Sequence, residues 1–143
     1  MASQRADGGR LGLGDLNRLS ERVLGAAFAV HTSLGPGLLE SAYEACLEYE
    51  LRSLGLNVER QKTMAVRYKE VLVDAGYRID LFVEDEVIVE VKSIRAVAPI
   101  HRAQLLTYLK LSDRHLGLLL NFNVNRLRDG GIHRLVHGEP PRP

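Results

Sequence analysis

Residues 78–93, RIDLFVEDEVIVEVKS, decide the fold of this protein. Apolar and other residues alternate in this stretch as they do along half-buried β-strands, and the acidic run EDE interrupts the pattern in the middle. The stretch therefore predicts a β-hairpin. Three charged residues, Asp80, Glu90 and Lys92, lie within its otherwise apolar strands and need a physical explanation.

The length of the hairpin loop determines where these charged side chains point. Residues two apart in a strand face the same way, so Glu90 and Lys92 share one face and are expected to form an ion pair. Asp80 joins them only if it lies opposite Glu90, which requires a three-residue loop at residues 84–86. A two-residue loop would turn Asp80 to the other face, because a slip of one residue reverses the facing of the whole strand.

With the three-residue loop, two carboxylates lie side by side and repel each other unless a cation or a proton intervenes. Mg²⁺ or Mn²⁺ is commonly held by one or two carboxylates, and it can polarise a phosphodiester and lower the pKa of a bound water. Lys92 could orient that water or stabilise the charge that develops on phosphorus. The pattern is compatible with phosphodiester hydrolysis, but Glu and Lys on a strand are more often part of a solvated face without chemistry, so the hairpin alone does not decide between the two.

The rest of the chain predicts an α/β domain in which helices flank a mixed sheet. Apolar residues at three- and four-residue spacing predict helices over residues 15–34, 38–54 and 100–111. Strands are expected over residues 58–68, in the two arms of the hairpin and over 115–122. The first strand should end in a turn at residues 69–70 or 74–76. The buried face of the second helix is expected to comprise Leu39, Ala42, Cys46, Tyr49 and Leu51.

Length and composition bound the organisation of the chain. Its 143 residues, 45% hydrophobic and 26% charged, are expected to form a single domain over residues 14–137, between a disordered segment at 1–13 and a tail at 138–143. A single cysteine, Cys46, excludes an internal disulfide and a zinc site built from cysteines. No apolar run is long enough to cross a bilayer, so we expect a cytoplasmic protein without membrane association.

Charge is unevenly distributed along the chain. Up to Glu90 there are ten Lys and Arg against fifteen Asp and Glu, a sum of −5, and after it nine against three, a sum of +6. Basic residues that could contact phosphates follow the hairpin, with Arg95, Arg102 and Lys110 as the principal candidates and Arg114, Arg126, Arg128 and Arg134 beyond. The pattern lacks the signs of base readout, so any binding is expected to depend on backbone and shape. The near-neutral total of +1 indicates that an oligomer or a protein partner would supply further basic surface.

The charged residues of the hairpin and a motif on the following helix resemble those of a known group of enzymes. Asp80, the run Glu90-Val91-Lys92 and the later Gln104-Leu-Leu-Thr-Tyr108 are similar to the PD-(D/E)xK nuclease superfamily with its accessory Q-x-x-x-Y motif. Ile79 stands where the superfamily motif places proline. The resemblance extends over residues 31–136.

An upstream motif narrows the resemblance. Gly37, Glu40 and Tyr43 match the G-x-x-E-x-x-Y signature of the small prokaryotic GxxExxY proteins, which are placed in the same superfamily. The order and spacing of the four elements together are more specific than any one of them.

The resemblance implies a restriction-endonuclease-like core and cleavage of nucleic acid, with DNA favoured, that depends on Mg²⁺ or Mn²⁺. The implied metal ligands are Glu40, Asp80 and Glu90. Lys92 would position or activate the attacking water. Gln104 and Tyr108, four residues apart on one helical face, would orient substrate or support the metal site.

Other interpretations of these residues remain open. The protein could be a nucleic-acid-binding module that keeps the fold without cutting, or an interaction protein whose carboxylates only satisfy one another and Lys92. Tyr43 and Tyr108 could be aromatics at the edge of the core that hold a carboxylate through their hydroxyl groups. His31 and His101 are expected to be hydrogen-bonded structural residues rather than metal ligands.

Overall fold

A five-stranded mixed sheet flanked by three helices forms the described part of the chain, residues 9–142, in the computed structural model. This architecture confirms the predicted α/β fold. In chain order the elements are α1 (Leu13–Leu34), α2 (Glu40–Ser53), β1 (Val58–Tyr68), β2 (Val71–Val83), β3 (Val87–Lys92), α3 (Pro99–Ser112), β4 (Leu116–Asn121) and β5 (Ile132–Val136).

The strands lie side by side in the order in which they follow one another along the chain. All neighbours are antiparallel except β3 and β4, which run parallel from the pair Val87 and Leu116 to the pair Lys92 and Asn121. Parallel neighbours need a crossover connection, and α3 supplies it. The carboxyl ends of β3 and β4 therefore lie side by side. Glu90 and Lys92 are at this end of β3.

Each face of the sheet packs against a different layer of helices. Val87, Val89 and Val91 belong to the core formed with α1 and α2, whereas Ile88 belongs to the smaller core formed with α3. Because side chains alternate along a strand, Glu90 continues the row of Ile88 and faces the α3 side.

The buried face of α2 differs from the prediction. Leu39 is 77% exposed and Tyr49 is 70% exposed, so their assignment to the core was wrong. The predicted Leu51 is buried, but the buried stripe reaches it through Tyr43 and Leu47, at four-residue spacing. Leu39 lies before the helix, in extended backbone, and so does not share its periodicity.

The turn that joins β1 to β2 lies at residues 69–70, the first of the two predicted positions. The second position, residues 74–76, lies within β2, where the pairing shifts between Met64 with Tyr77 and Val66 with Val73. This shift is a β-bulge. A Cβ at Gly76 would come within 2.3 Å of the Val66 side chain, so the close approach of the strands there requires glycine.

Contacts with the domain begin before the predicted boundary at residue 14. Arg10 donates two hydrogen bonds to the carboxylate of Glu86, at 3.1 and 3.0 Å, and Leu11 is only 3% exposed. Residues 1–8 of the segment predicted to be disordered lie outside the described residues. Within residues 9–142, no helix is both long and apolar enough to span a membrane.

Candidate functional site

The six residues predicted to be catalytic line one cleft of about 380 Å³. They come from four elements, namely α2, β2, β3 and α3. The complete lining consists of Glu40, Thr63, Ala75, Tyr77, Arg78, Asp80, Glu90, Lys92, Gln104 and Tyr108. Residues far apart in the chain are thus brought together where the resemblance placed a site.

The hairpin has the register that a shared site for Asp80 and Glu90 requires. Val83 pairs with Val87 and Leu81 with Val89, which leaves a three-residue loop at 84–86 and confirms the predicted odd loop. The same register, continued by one step, places Asp80 opposite Glu90.

The two carboxylates join the strands at the point where the regular pairing of β2 with β3 ends. The backbone N–H of Asp80 donates to Glu90 Oε2 at 3.0 Å, and the backbone N–H of Val91 donates to Asp80 Oδ2 at 2.9 Å. Each side chain therefore accepts a hydrogen bond from the backbone of the opposite strand, which fixes both carboxylates. Among the described residues, none donates a hydrogen bond to Glu90 Oε1, so this oxygen is available to a ligand.

Burial and mutual repulsion make the pair electrostatically unfavourable when both groups are charged. Glu90 is 4% exposed, and its burial together with the negative charge of Asp80 raises the pKa of the Glu90 carboxyl to about 8. The pKa of Asp80 is also raised, chiefly by burial. The positive charge of Lys92 lowers both pKa values but does not offset these effects. A proton or a cation at this position would relieve the repulsion.

Lys92 does not form the predicted ion pair with Glu90. No salt bridge joins Lys92 to either carboxylate within residues 9–142, because Glu90 and Asp80 turn to the backbone of the opposite strand instead. Lys92 still lines the cleft and acts on both carboxylates through its charge. Its ammonium group is therefore free to meet a substrate.

A second layer of polar residues, which the sequence did not reveal, holds Asp80 from behind. Glu44 of α2 is 5% exposed and accepts hydrogen bonds from Arg60 Nε at 2.6 Å and Gln61 Nε2 at 2.7 Å. Gln61 Nε2 also donates to Asp80 Oδ1 at 3.2 Å. The backbone of Gln61 has a φ of 54°, in the left-handed region that side chains rarely adopt. The residue is thus held in an unfavourable conformation beside the site.

Glu40 lies at the rim of the cleft, on the first turn of α2. It is exposed, and its Oε2 accepts a hydrogen bond from the backbone N–H of Ser93 at 3.2 Å. The turn before it is held by Tyr43, whose hydroxyl donates to Gly35 O at 2.5 Å and accepts from the Leu38 N–H at 3.1 Å. The suggestion that Tyr43 holds a carboxylate was wrong, and the residue instead fixes the backbone that positions Glu40.

Gln104 and Tyr108 lie one helical turn apart on α3 and face the carboxylates across the cleft. The Tyr108 ring packs against Tyr77 with ring centroids 4.7 Å apart. Burial, followed by the negative charges of Glu90 and Asp80, raises the pKa of the Tyr108 hydroxyl. The phenol is therefore neutral at physiological pH and can donate a hydrogen bond.

The residues predicted to bind nucleic acid are all exposed, but they do not all face the cleft. They are Arg95, Arg102 and Lys110. At about 100° of rotation per residue, Arg102 and Lys110 lie on other faces of α3 than Gln104. Arg102 Nη1 donates instead to His133 Nδ1 at 2.9 Å.

Two arginines outside that principal set, Arg78 and Arg114, have different positions relative to the cleft. Arg78 lines the cleft and is exposed, and its side chain makes no hydrogen bond or ion pair with the described residues. Arg78 was not among the residues predicted from the sequence, although its position two residues before Asp80 on β2 places the two side chains on the same face of the strand. Arg114 instead donates to the carbonyl and carboxylate of Asp85 in the hairpin loop, at 2.8 and 3.0 Å, and so has a structural role.

Both histidines near the site elements have hydrogen-bonded positions in the fold, as expected. His31 Nε2 lies 2.8 Å from Val124 O, and His101 Nδ1 accepts from the Ala98 N–H at 2.9 Å, at the start of α3.

The donor set around Asp80 and Glu90 suits a hard divalent ion. Within residues 9–142, no three His, Cys, Asp or Glu side chains are grouped closely enough to hold a metal ion together. Glu40 Oε2 is bonded to the Ser93 N–H. A pair of carboxylates is nevertheless sufficient, since Mg²⁺ usually takes one or two and completes its shell with water. The unused Glu90 oxygen and the raised pKa values both agree with a cation at this pair.

Comparison with known proteins identifies one family. A model of the PD-(D/E)XK nuclease superfamily matches residues 17–135, a range that includes all six predicted catalytic residues. The crystal structure of SSO0001 resembles this chain with a TM-score of 0.45 and 19% sequence identity, over 98% of this chain and 72% of that chain. No curated protein matches the chain significantly. The mixed sheet and its helices agree with the restriction-endonuclease-like core that the family implies.

Proposed function

Because the chain belongs to the PD-(D/E)XK nuclease superfamily, we propose that it hydrolyses nucleic-acid phosphodiesters, with DNA as the substrate. Members of this superfamily generally use divalent metal ions, and Mg²⁺ or Mn²⁺ is the proposed ion here. The observation that carries the proposal is the convergence of all six candidate residues on one cleft that contains a buried, repelling carboxylate pair.

Each of the six candidate catalytic residues has a proposed role. Asp80 and Glu90 would hold the ion, and Glu40 at the rim would become a further ligand on leaving its hydrogen bond with the Ser93 N–H. A divalent ion there would polarise the phosphodiester and lower the pKa of the attacking water. Lys92, which has no carboxylate partner, positions that water and stabilises the negative charge that develops on the phosphoryl oxygens. Gln104 and Tyr108 donate hydrogen bonds that orient the substrate.

Narrower assignments rest on sequence features. Gly37, Glu40 and Tyr43 support membership of the GxxExxY group, and the structure gives each a part in one turn and helix start. The single cysteine, a free thiol, is compatible with a reducing cytoplasm. The formal charge of +1 supports a second copy or a protein partner that adds basic surface.

The role of Lys92 can be separated from metal binding by comparing Lys92→Ala with Lys69→Ala. Lys69 lies in the turn between β1 and β2 and serves as a matched control. We expect Lys92→Ala to bind Mn²⁺ as the wild type does, measured by calorimetry, and to cleave plasmid DNA at least about a hundredfold more slowly. Lys69→Ala should cleave at the wild-type rate.

Equal cleavage by the two lysine variants would contradict the proposed role of Lys92. A wild-type protein that binds Mn²⁺ and oligonucleotides but cleaves neither plasmid, linear duplex nor single strands would instead be the catalytically silent binding module. One structural feature favours the silent binding module: Glu40 is bonded to the Ser93 N–H and does not form a three-carboxylate group with Asp80 and Glu90.

A further inference from the structure

Two adjoining cavities lie at the same edge of the sheet as the cleft. Their volumes are about 450 and 610 Å³, and both are lined by Asn125 and Arg126. We call them together the loop groove. Its lining comprises Phe28, His31, Thr32, Gly35, Pro36 and residues 123–129. None of these residues belongs to the carboxylate cleft.

The loop that forms one wall of the groove is firmly held. Leu127 is 2% exposed and anchors the loop in the core. The N–H of Gly131 donates to Leu127 O at 2.9 Å, and the N–H of Asn121 donates to Gly131 O at 2.8 Å, which ties the loop to the end of β4. Arg126 and Arg128 flank this anchor on either side. Their backbone positions are therefore fixed before any ligand binds.

The charges of the groove are available to an anion. Arg126 meets Asp129 only at 3.6 Å, with side chains 58% and 64% exposed, and such surface pairs contribute little free energy. Arg128 makes no hydrogen bond or ion pair with the residues that the structure describes. Guanidinium groups bind phosphate oxygens through paired N–H donors, and the nearby amide of Asn125 adds another donor. The set is suited to phosphate.

An aromatic side chain adds a surface of a different kind. Phe28 of α1 is 39% exposed and lines the same cavity as Arg126 and Arg128. Proteins that bind single-stranded nucleic acid combine such features, with basic side chains along the backbone and an aromatic ring on which an unpaired base stacks.

One rim of the groove lies close to one rim of the cleft. Gly35 lines the groove and Glu40 lines the cleft, five residues further along the chain. Five fully extended residues span at most about 18 Å, so these two rim residues are no further apart than that. The hydroxyl of Tyr43 holds the intervening turn by bonding both Gly35 and Leu38.

We propose that the loop groove binds an unpaired nucleic-acid strand, with Arg126 and Arg128 on its phosphates and Phe28 against a base, and that this is the strand whose phosphodiester the cleft cleaves. The reference to cleavage rests on the proposed function, whereas the binding site itself does not.

Binding without cleavage tests the groove directly. Fluorescence anisotropy in EDTA would give the Kd of the full-length protein for a labelled 20-nucleotide single strand and for the matching duplex. The test variant is Arg126→Ala/Arg128→Ala, and the control is Arg18→Ala, at the opposite end of α1. We expect the double variant to weaken single-strand binding roughly tenfold and to reduce the slope of log Kd against log salt by about 1.4, as for two lost phosphate contacts. Arg18→Ala should leave both unchanged.

A further variant tests the base contact. Phe28→Ala should weaken binding of the single strand at least about fivefold and leave duplex binding unchanged, because duplex bases are already stacked. Circular dichroism confirms that each variant is folded.

If the double arginine variant bound the single strand with the affinity and salt dependence of the wild type, the proposal that the loop groove binds this strand would be wrong. It would also be wrong if the wild type did not bind the single strand. An equal loss on single strand and duplex in Phe28→Ala would overturn the base contact. Cleavage is read separately, in Mn²⁺. A protein that binds through the groove but cuts no substrate would contradict the proposed hydrolysis and leave the groove intact.

Discussion

The carboxyl group of Glu90 makes the stability of the metal-free protein depend on pH. Its pKa of about 8 lies above the ordinary value of 4.5 because burial and Asp80 disfavour the charged form. Between these two values the folded state retains a proton that the unfolded state releases. The stabilisation is therefore fully present below about pH 4.5 and is lost as the pH rises through about 8.

Glu90→Gln should remove most of this dependence, because an amide does not ionise but can still accept the N–H of Asp80. Urea unfolding at pH 5 and pH 8.5, in EDTA, would measure the free energy of unfolding. We expect the wild type to lose on the order of a few kcal/mol between the two pH values, and the variant much less. The exposed Asp129→Asn should behave as the wild type. An equal loss in Glu90→Gln would contradict this interpretation.

Gln61 offers a way to separate stability from function at a single residue. Its left-handed backbone is unfavourable for a side chain, so Gln61→Gly relieves strain but removes the hydrogen bonds to Asp80 and Glu44. The relief of strain and the loss of these hydrogen bonds are each on the order of 1–3 kcal/mol and oppose each other, so we expect the free energy of unfolding to change by less than either effect alone. Mn²⁺ affinity, measured by calorimetry, should fall several-fold because Asp80 is less well held.

Gln61→Asn retains the amide and should lie closer to the wild type in Mn²⁺ affinity. Wild-type affinity in Gln61→Gly would show that the amide does not position Asp80.

Six of the ten residues that line the cleft were predicted from the sequence, but none of the polar residues behind Asp80 was. Asp80, Glu90 and Lys92 were recognisable because charges within apolar strands are unexpected. Glu44 and Gln61 had no such signal, since one lies on a helix rich in glutamate and the other on a strand of alternating polarity. Their contact depends on how α2 packs against β1, which local periodicity does not specify.

At the scale of elements, the parity of the hairpin loop was the most informative prediction. Side chains alternate between the two faces of a strand. The assumption that Asp80 and Glu90 share a face therefore determined both the loop length and the register. The face of α2 was predicted less well. Leu39 and Tyr49 are apolar enough to suggest burial, but the helix begins at Glu40 and its four-residue stripe runs through Tyr43. An error at a helix start shifts the whole predicted face.

The β4–β5 connection should be sensitive to a single methyl group. A Cβ at Gly131 would lie 2.7 Å from Leu127 O and 2.8 Å from Asn121 O, and backbone atoms cannot move away without displacing the loop. We expect Gly131→Ala to lower the free energy of unfolding by about 1–3 kcal/mol in urea titrations, and to weaken single-strand binding through Arg126 and Arg128.

Gly25→Ala is the matched control for that substitution. Gly25 lies within α1 with no atom within 4 Å of the added Cβ, so the same change should stabilise the protein by up to about 1 kcal/mol. Equal effects of the two substitutions would show that the loop is not tightly held.

At the scale of the whole molecule, the charge asymmetry along the chain has a spatial counterpart. The acidic pair comes from the part of the chain up to Glu90, and the arginines of the loop groove come from the part after it. The parallel pairing of β3 with β4 brings the two to one edge of the sheet. A formal charge of +1 therefore conceals a carboxylate cleft beside a basic groove, an arrangement that suits a metal ion and a polyanionic strand.

Metal-dependent phosphodiester cleavage at the carboxylate pair can be measured as the rate of DNA cleavage by the wild type and by Asp80→Asn over a series of Mn²⁺ concentrations. We expect no cleavage in EDTA, saturable activation of the wild type by Mn²⁺, and a loss of at least about a hundredfold in Asp80→Asn at the same Mn²⁺ concentrations. Cleavage that persists in EDTA, or equal rates for the two proteins at every Mn²⁺ concentration, would contradict this expectation.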